Sequence, residues 1–144
     1  MWGTVNVYDS DLNLLISTDI SEKISSVCNL YSDLKGEDFG IVNIVNDKEG
    51  NNLVLAVNLN SIENYDYSHC EYSLLFFDSS FESVLKHISF SNDISWIDIK
   101  AFSDGTLGCL VDYDYDNDSS LSVIGRIDTE NGNITELLTT DNCN

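Results

Sequence analysis

Ile94-Ser95-Trp96-Ile97-Asp98-Ile99-Lys100-Ala101-Phe102-Ser103-Asp104-Gly105-Thr106-Leu107-Gly108-Cys109-Leu110-Val111-Asp112-Tyr113 reads as two strands and the turn that joins them. Apolar and polar residues alternate on the approach to the turn, the period of a half-buried strand. Asp104-Gly105 predicts a two-residue hairpin turn of type I′, which needs positive φ at both central positions. Asn131-Gly132 gives the same signal further on. Working outward, short runs of Val, Ile, Leu, Tyr and Phe recur along the whole chain. Clusters such as Asp9-Ser10-Asp11-Leu12-Asn13, Asp47-Lys48-Glu49-Gly50 and Asp78-Ser79-Ser80 separate them. There is no proline, so Gly, Asn, Asp and Ser must turn the chain. Strands are predicted near residues 3–8, 13–18, 24–31, 40–46, 53–59, 72–77, 83–90, 94–102, 106–113, 121–128 and 133–138. The fold class is all-β: an antiparallel meander of ten or eleven short strands.

One segment carries two signals. Ile24, Val27, Tyr31 and Leu34 have helical spacing, Asp19 with Glu22 reads as a capping box, and Gly36 as a stop. An internal duplication argues for a strand instead. Thr4-Val5-Asn6-Val7-Tyr8-Asp9-Ser10 aligns with Ser73-Leu74-Leu75-Phe76-Phe77-Asp78-Ser79, and Ile24-Ser25-Ser26-Val27 aligns with Ile94-Ser95-Trp96-Ile97. Two copies, 3–66 and 72–138, within one domain of residues 1–144 follow from this alignment. By analogy with its second copy, 24–31 is assigned to strand. Stacked copies imply a β-sandwich or a partly closed barrel. The hairpin rhythm also resembles the outer hairpins of β-propeller blades, as in Val7-Tyr8-Asp9 and Phe76-Phe77-Asp78 before a turn. A closed propeller needs more strands than one copy of this chain holds.

The chain has 144 residues, 42% of them hydrophobic, enough to bury a core without a disulfide or a metal. Against 25 Asp and Glu stand only 6 Lys and Arg, for a net charge of -19. A nucleic-acid binder must neutralise phosphates, and this chain does the opposite. An anionic membrane is excluded as partner on the same ground. No apolar run reaches the ~20 residues of a membrane span. The N-terminal residues lack a basic and an apolar region, so no signal peptide is expected. Cys28, Cys70, Cys109 and Cys143 are scattered, and reduced thiols in the cytoplasm are the expectation.

No catalytic signature is present: no Gly-framed serine, no phosphate-cradling glycine loop, no metal-spaced Cys and His. His69-Cys70 reads as a loop pair, and His87 as the solvent side of a strand. The chain is therefore expected not to be an enzyme and to need no cofactor or metal. The most unusual local feature is Asp112-Tyr113-Asp114-Tyr115-Asp116-Asn117-Asp118. In a strand, Asp112, Asp114 and Asp116 share one face and Tyr113 and Tyr115 the other. Like charges side by side must be offset by solvent, by a cation or by a basic partner. The run fails the EF-hand pattern, with Asn117 where Gly is needed and Val123 where Glu is needed. It reads as a solvated inter-strand loop, as a contact surface for a basic protein, or as an irregular calcium site.

A charge of -19 far exceeds the magnitude of ~2–8 that solubility needs, and self-repulsion of that size destabilises a compact chain. A strongly basic partner accounts for it. Carboxylates set where substrate phosphates would sit block a nuclease, and electrostatic steering speeds the encounter. Asp112, Tyr113, Asp114, Tyr115, Asp116 and Asp118 form the first candidate patch. Asp9 and Asp11 form the second, and Glu63 and Asp66, beside Tyr65 and Tyr67, the third. Small, acidic and catalytically silent, the chain resembles bacterial toxin-immunity proteins, including those of contact-dependent growth inhibition. The resemblance is to the class and rests on no shared motif. It implies a one-to-one complex with a basic toxin, of which nucleases are the type charge fits. The alternatives are a structural or assembly β-module and a calcium-dependent binding module.

Overall fold

The computed structural model describes residues 3–28, 39–58, 71–90, 93–115 and 119–142. Ten antiparallel strands and one short helix are formed within them. In chain order these are β1 (Thr4–Tyr8), β2 (Leu14–Asp19), α1 (Ser21–Val27), β3 (Phe39–Asn46), β4 (Asn52–Asn58), β5 (Tyr72–Phe77), β6 (Val84–Ser89), β7 (Ile94–Ala101), β8 (Leu107–Tyr115), β9 (Ser119–Ile127) and β10 (Ile134–Asn142). The all-β reading holds, apart from the contested segment.

That segment is a helix over Ser21–Val27, not the strand assigned to 24–31. Local spacing prevails over the analogy because Ile24 has a core to enter. It is 1% exposed and packs in one cluster with Val5, Ile20, Phe39, Phe77 and Phe81. Asp19 accepts the Ser21 N–H at 2.9 Å, satisfying one of the free donors of the first turn. Residues 29–38, with Tyr31, Leu34 and Gly36, lie outside the described residues.

The strands form three sheets: β1-β2, β3-β4-β5-β6 and β10-β9-β8-β7. The two larger ones are meanders in matching register. Asn43, Leu55, Leu74 and Ile88 lie in one row across the first, and Asp98, Leu110, Ile124 and Leu138 in one row across the second. The repeating unit visible in the sheets is thus the four-stranded meander. The copies drawn at 3–66 and 72–138 would divide β3-β4 from β5-β6, which pair directly.

Layering follows from strand period. In β4, Leu53, Leu55 and Val57 enter one cluster, with Leu74, Ile97, Ile99, Val111 and Ile127 of the neighbouring strands. Val54 and Ala56 point the other way, into the cluster closed by the β1-β2 hairpin and α1. The β3–β6 sheet is covered on both faces, and every residue of β4 is buried. Among the described residues, the β7–β10 sheet is covered on one face only.

The hairpin turns correct a second expectation. At Asp104-Gly105 only Gly105 has positive φ, at 87°, so the turn is not type I′. Phe102 N–H bonds Thr106 O, and Gly105 N–H bonds Phe102 O, which makes a three-residue loop with a left-handed third position. Asn131-Gly132 likewise places positive φ on Gly132 alone. Each of the five hairpin turns that lie wholly within the described residues has one such residue: Leu12, Gly50, Phe81, Gly105 and Gly132.

Neighbouring turns of the two large sheets share one end of the molecule. A Cβ on Gly105 would meet the Lys48 side chain, and Lys86 pairs with Glu130 at 3.2 Å. The β4-β5 and β8-β9 connections leave from the other end. There the Tyr72 hydroxyl donates to Ser95 O and the Ser95 hydroxyl to Asp112 O.

Candidate protein-docking face

The uncovered face of the β7–β10 sheet is set by alternation along β8 and β9. Leu107, Cys109 and Val111 point inward and are buried, as are Val123 and Ile127. Leu110, Asp112, Ile124 and Arg126 therefore point outward. Trp96 pairs with Asp112, and Leu138 pairs with Ile124. The result is an exposed apolar row, Leu110, Ile124 and Leu138, with Trp96 and Phe102 beside it.

Comparison with the sister sheet shows what has been exchanged. Where the covered face of β3–β6 carries Leu55, Leu74 and Ile88, this face keeps Leu110, Ile124 and Leu138. The flanking rows have turned polar. Val57 and Tyr72 correspond to Asp112 and Ser122, and Leu53 and Phe76 to Gly108 and Arg126. An apolar centre rimmed by polar groups is the composition of a protein interface rather than of a core.

At the turn end, Phe102 lies over Gly108, where a Cβ would collide with its ring. The ring forms one wall of an open cleft of about 560 Å³, lined also by Lys100, Leu110, Ile124, Arg126 and Leu137. Two carboxylates border the cleft. Asp98 accepts from Asn43 Nδ2 at 2.6 Å and from Ile99 N–H. Asp104 accepts from the Thr106 hydroxyl and N–H, which hold its carboxyl below the usual range, with a smaller contribution from the Arg126 charge. Among the described residues neither Lys100 nor Arg126 forms a salt bridge.

The candidate acids fall in different places. Asp112 is on this face. Tyr113 points the other way and packs against the inter-sheet core, so it is not an exposed anchor. Asp114 and Tyr115 continue β8, opposite Ser120 and Ser119, so the run is strand through Tyr115 rather than loop. Asp116, Asp118, Glu63 and Asp66, with Tyr65 and Tyr67, lie outside the described residues. Asp9 and Asp11 belong to the β1-β2 turn, on the far side of the central sheet, so the structure does not join them to Asp112. Trp96 is the exposed aromatic of this face that sequence reasoning missed. Its signal was present: its alternation with buried Ile97 placed it on the opposite face.

Asp9 is engaged in turn making. It accepts the N–H groups of Asp11 and Asn13 and the Asn13 side chain, which lowers its pKa. Asp47, Asp78, Asp104 and Asp128 act similarly, each accepting at least one backbone N–H in its own turn. Part of the acidity is thus hairpin chemistry.

His87 corrects a further expectation. It faces α1 rather than open solvent, with Nε2 at 3.7 Å from Cys28 Sγ and 3.3 Å from the hydroxyls of Ser73 and Ser89. Burial lowers the His87 pKa and raises that of Cys28. Both shifts favour the neutral forms, the reverse of the thiolate–imidazolium arrangement that activates a nucleophile. Among the described residues no three His, Cys, Asp or Glu side chains gather in metal-binding geometry.

Comparison with protein-family models, with curated proteins and with solved structures returns no match. The site's own geometry carries the functional reading.

Proposed function

We propose that this chain is an acidic binding protein that docks a basic protein through the β7–β10 face and neutralises it. The observation that carries the reading is Asp112 beside exposed Trp96, flanking an uncovered apolar row, in a chain of net charge -19. Trp96 supplies the desolvated anchor and Asp112 the charge that selects a cationic partner. A nuclease surface is basic because its substrate is a polyphosphate, so a nuclease toxin is the partner class that fits, and occlusion of its nucleic-acid site the mode of inhibition. The role is that of an immunity protein acting in the cytoplasm.

A second reading has its own support. The five turn aspartates give part of the charge a structural purpose, as expected of an assembly module with no inhibitory role. Affinity capture from source-cell lysate at low and then high salt separates the two. A single basic protein, released by salt and lost with Trp96→Ala or Asp112→Asn, supports the inhibitor. Neutral partners retained at high salt, with either variant binding as before, transfer the weight to assembly.

A further inference from the structure

The β7–β10 face carries a knob at one end and a hole at the other. The knob is Trp96, 41% exposed. The hole is the cleft between Phe102 and Leu137. Lys100 follows Trp96 by four residues on the same strand, which puts the two ends ~13 Å apart. Asp112 stands opposite Trp96, while Lys100 and Arg126, neither of them in a salt bridge among the described residues, border the cleft beside Asp98 and Asp104, whose carboxylates are already engaged by Asn43 and Thr106. Lys100 and Arg126 are two of only six cations in the chain. A two-fold axis lying in the plane of the face and running across the strands near Leu110 and Ile124 would bring each knob to the other copy's hole and each Asp112 to the other copy's Lys100 and Arg126.

We propose that two copies of the chain pair through this face, Trp96 of each filling the cleft of the other and Asp112 of each meeting Lys100 and Arg126. Such an interface is isologous, so one set of residues supplies both halves and the assembly closes at two. The sister sheet supports the packing. Its row Leu55, Leu74 and Ile88, which matches Leu110, Ile124 and Leu138 in register, is covered by a sheet face within the chain. Four strands spaced ~4.8 Å apart and about nine residues long give ~570 Å² of flat face, below the ~800 Å² per partner of a standard interface until side-chain relief is added. The pairing is therefore a weak one. It needs no basic partner. Since Trp96 and Asp112 serve both, a bound partner and a second copy exclude each other.

Charge gives the pairing a signature. Two chains of net charge -19 repel at long range, so added salt strengthens their association, whereas salt weakens capture of a basic protein. Sedimentation of the purified chain over a wide concentration range, at low and high salt, reads this directly. Dimer that grows with concentration and with salt is expected. Trp96→Ala should weaken it by about tenfold or more. Arg126→Glu and Asp112→Lys should each give monomers, since each sets like charges against one another. Mixed together they should associate, because each variant then offers the charge the other lacks. Such rescue also shows that both variants fold. A monomer under all conditions, a dimer untouched by Trp96→Ala, or a mixture no tighter than its parts would overturn the proposal, and none of these bears on the basic partner.

Discussion

Leu12 sits at φ 64° with most of its side chain in water. A leucine in the left-handed region costs ~1–2 kcal/mol, and here no packing offsets it. Leu12→Gly should therefore stabilise the chain by about 1 kcal/mol, read as a higher urea midpoint with unchanged m-value. Phe81, at φ 61°, differs because it is 1% exposed and stacks 5.7 Å from Phe77. Its burial holds the strained backbone, and Phe81→Gly should destabilise. His87 sets a pH dependence. Burial depresses its folded pKa below the unfolded value of 6.5, so the unfolded state binds more protons in that window. The stability present above pH 6.5 is lost as pH falls through the folded value. Unfolding free energies of wild type and His87→Gln, measured between neutral and mildly acidic pH, should diverge there, the variant losing less. The turn aspartates act at lower pH. With Asp78 held below 3.8, first by the Ser80 hydroxyl, its contribution is present above 3.8 and fades as pH falls through the folded value.

At the scale of elements, β7 and β8 were legible because Ile97-Asp98-Ile99-Lys100-Ala101 alternates, Leu107–Val111 is a short β-rich apolar run, and a glycine turn separates them. The helix was legible too, in the spacing of Ile24 and Val27, but a weak repeat argued it into a strand. Repeat alignment compares residue types, and short runs of Val, Ile and Leu match many registers. The matching register of the two large sheets, Leu55 with Leu110 and Leu74 with Ile124, rests on cross-strand pairing, which sequence does not display. The candidate face was half legible for the same reason: Asp112 stood out by composition, whereas Trp96 and Leu138 join it only through pairing. Ile97, fully buried between the large sheets, tests the packing. Ile97→Ala should cost about 2–5 kcal/mol by denaturant unfolding. Asp112→Asn should leave stability within ~0.5 kcal/mol, because its carboxylate faces outward.

For the whole molecule, three layers stack in order: the β1-β2 hairpin with α1, the β3–β6 sheet, and the β7–β10 sheet. The central strands β4 and β5 of the middle layer have no solvated face, and Leu53-Val54-Leu55-Ala56-Val57 and Ser73-Leu74-Leu75-Phe76-Phe77 run through them without a charge. Backbone amides of β4, paired on both edges and covered on both faces, should exchange with solvent only on global unfolding, ahead of none and behind those of β10. Stripped of either cover, these two strands are short, β-rich and uncharged, the makings of a fibril seed. No proline interrupts them. What stands between a partly opened molecule and its neighbours is the surplus of carboxylates, which keeps chains apart before their bare strands can meet. The acidity on which the proposed basic partner would act also keeps molecules of this chain from joining through their central sheets.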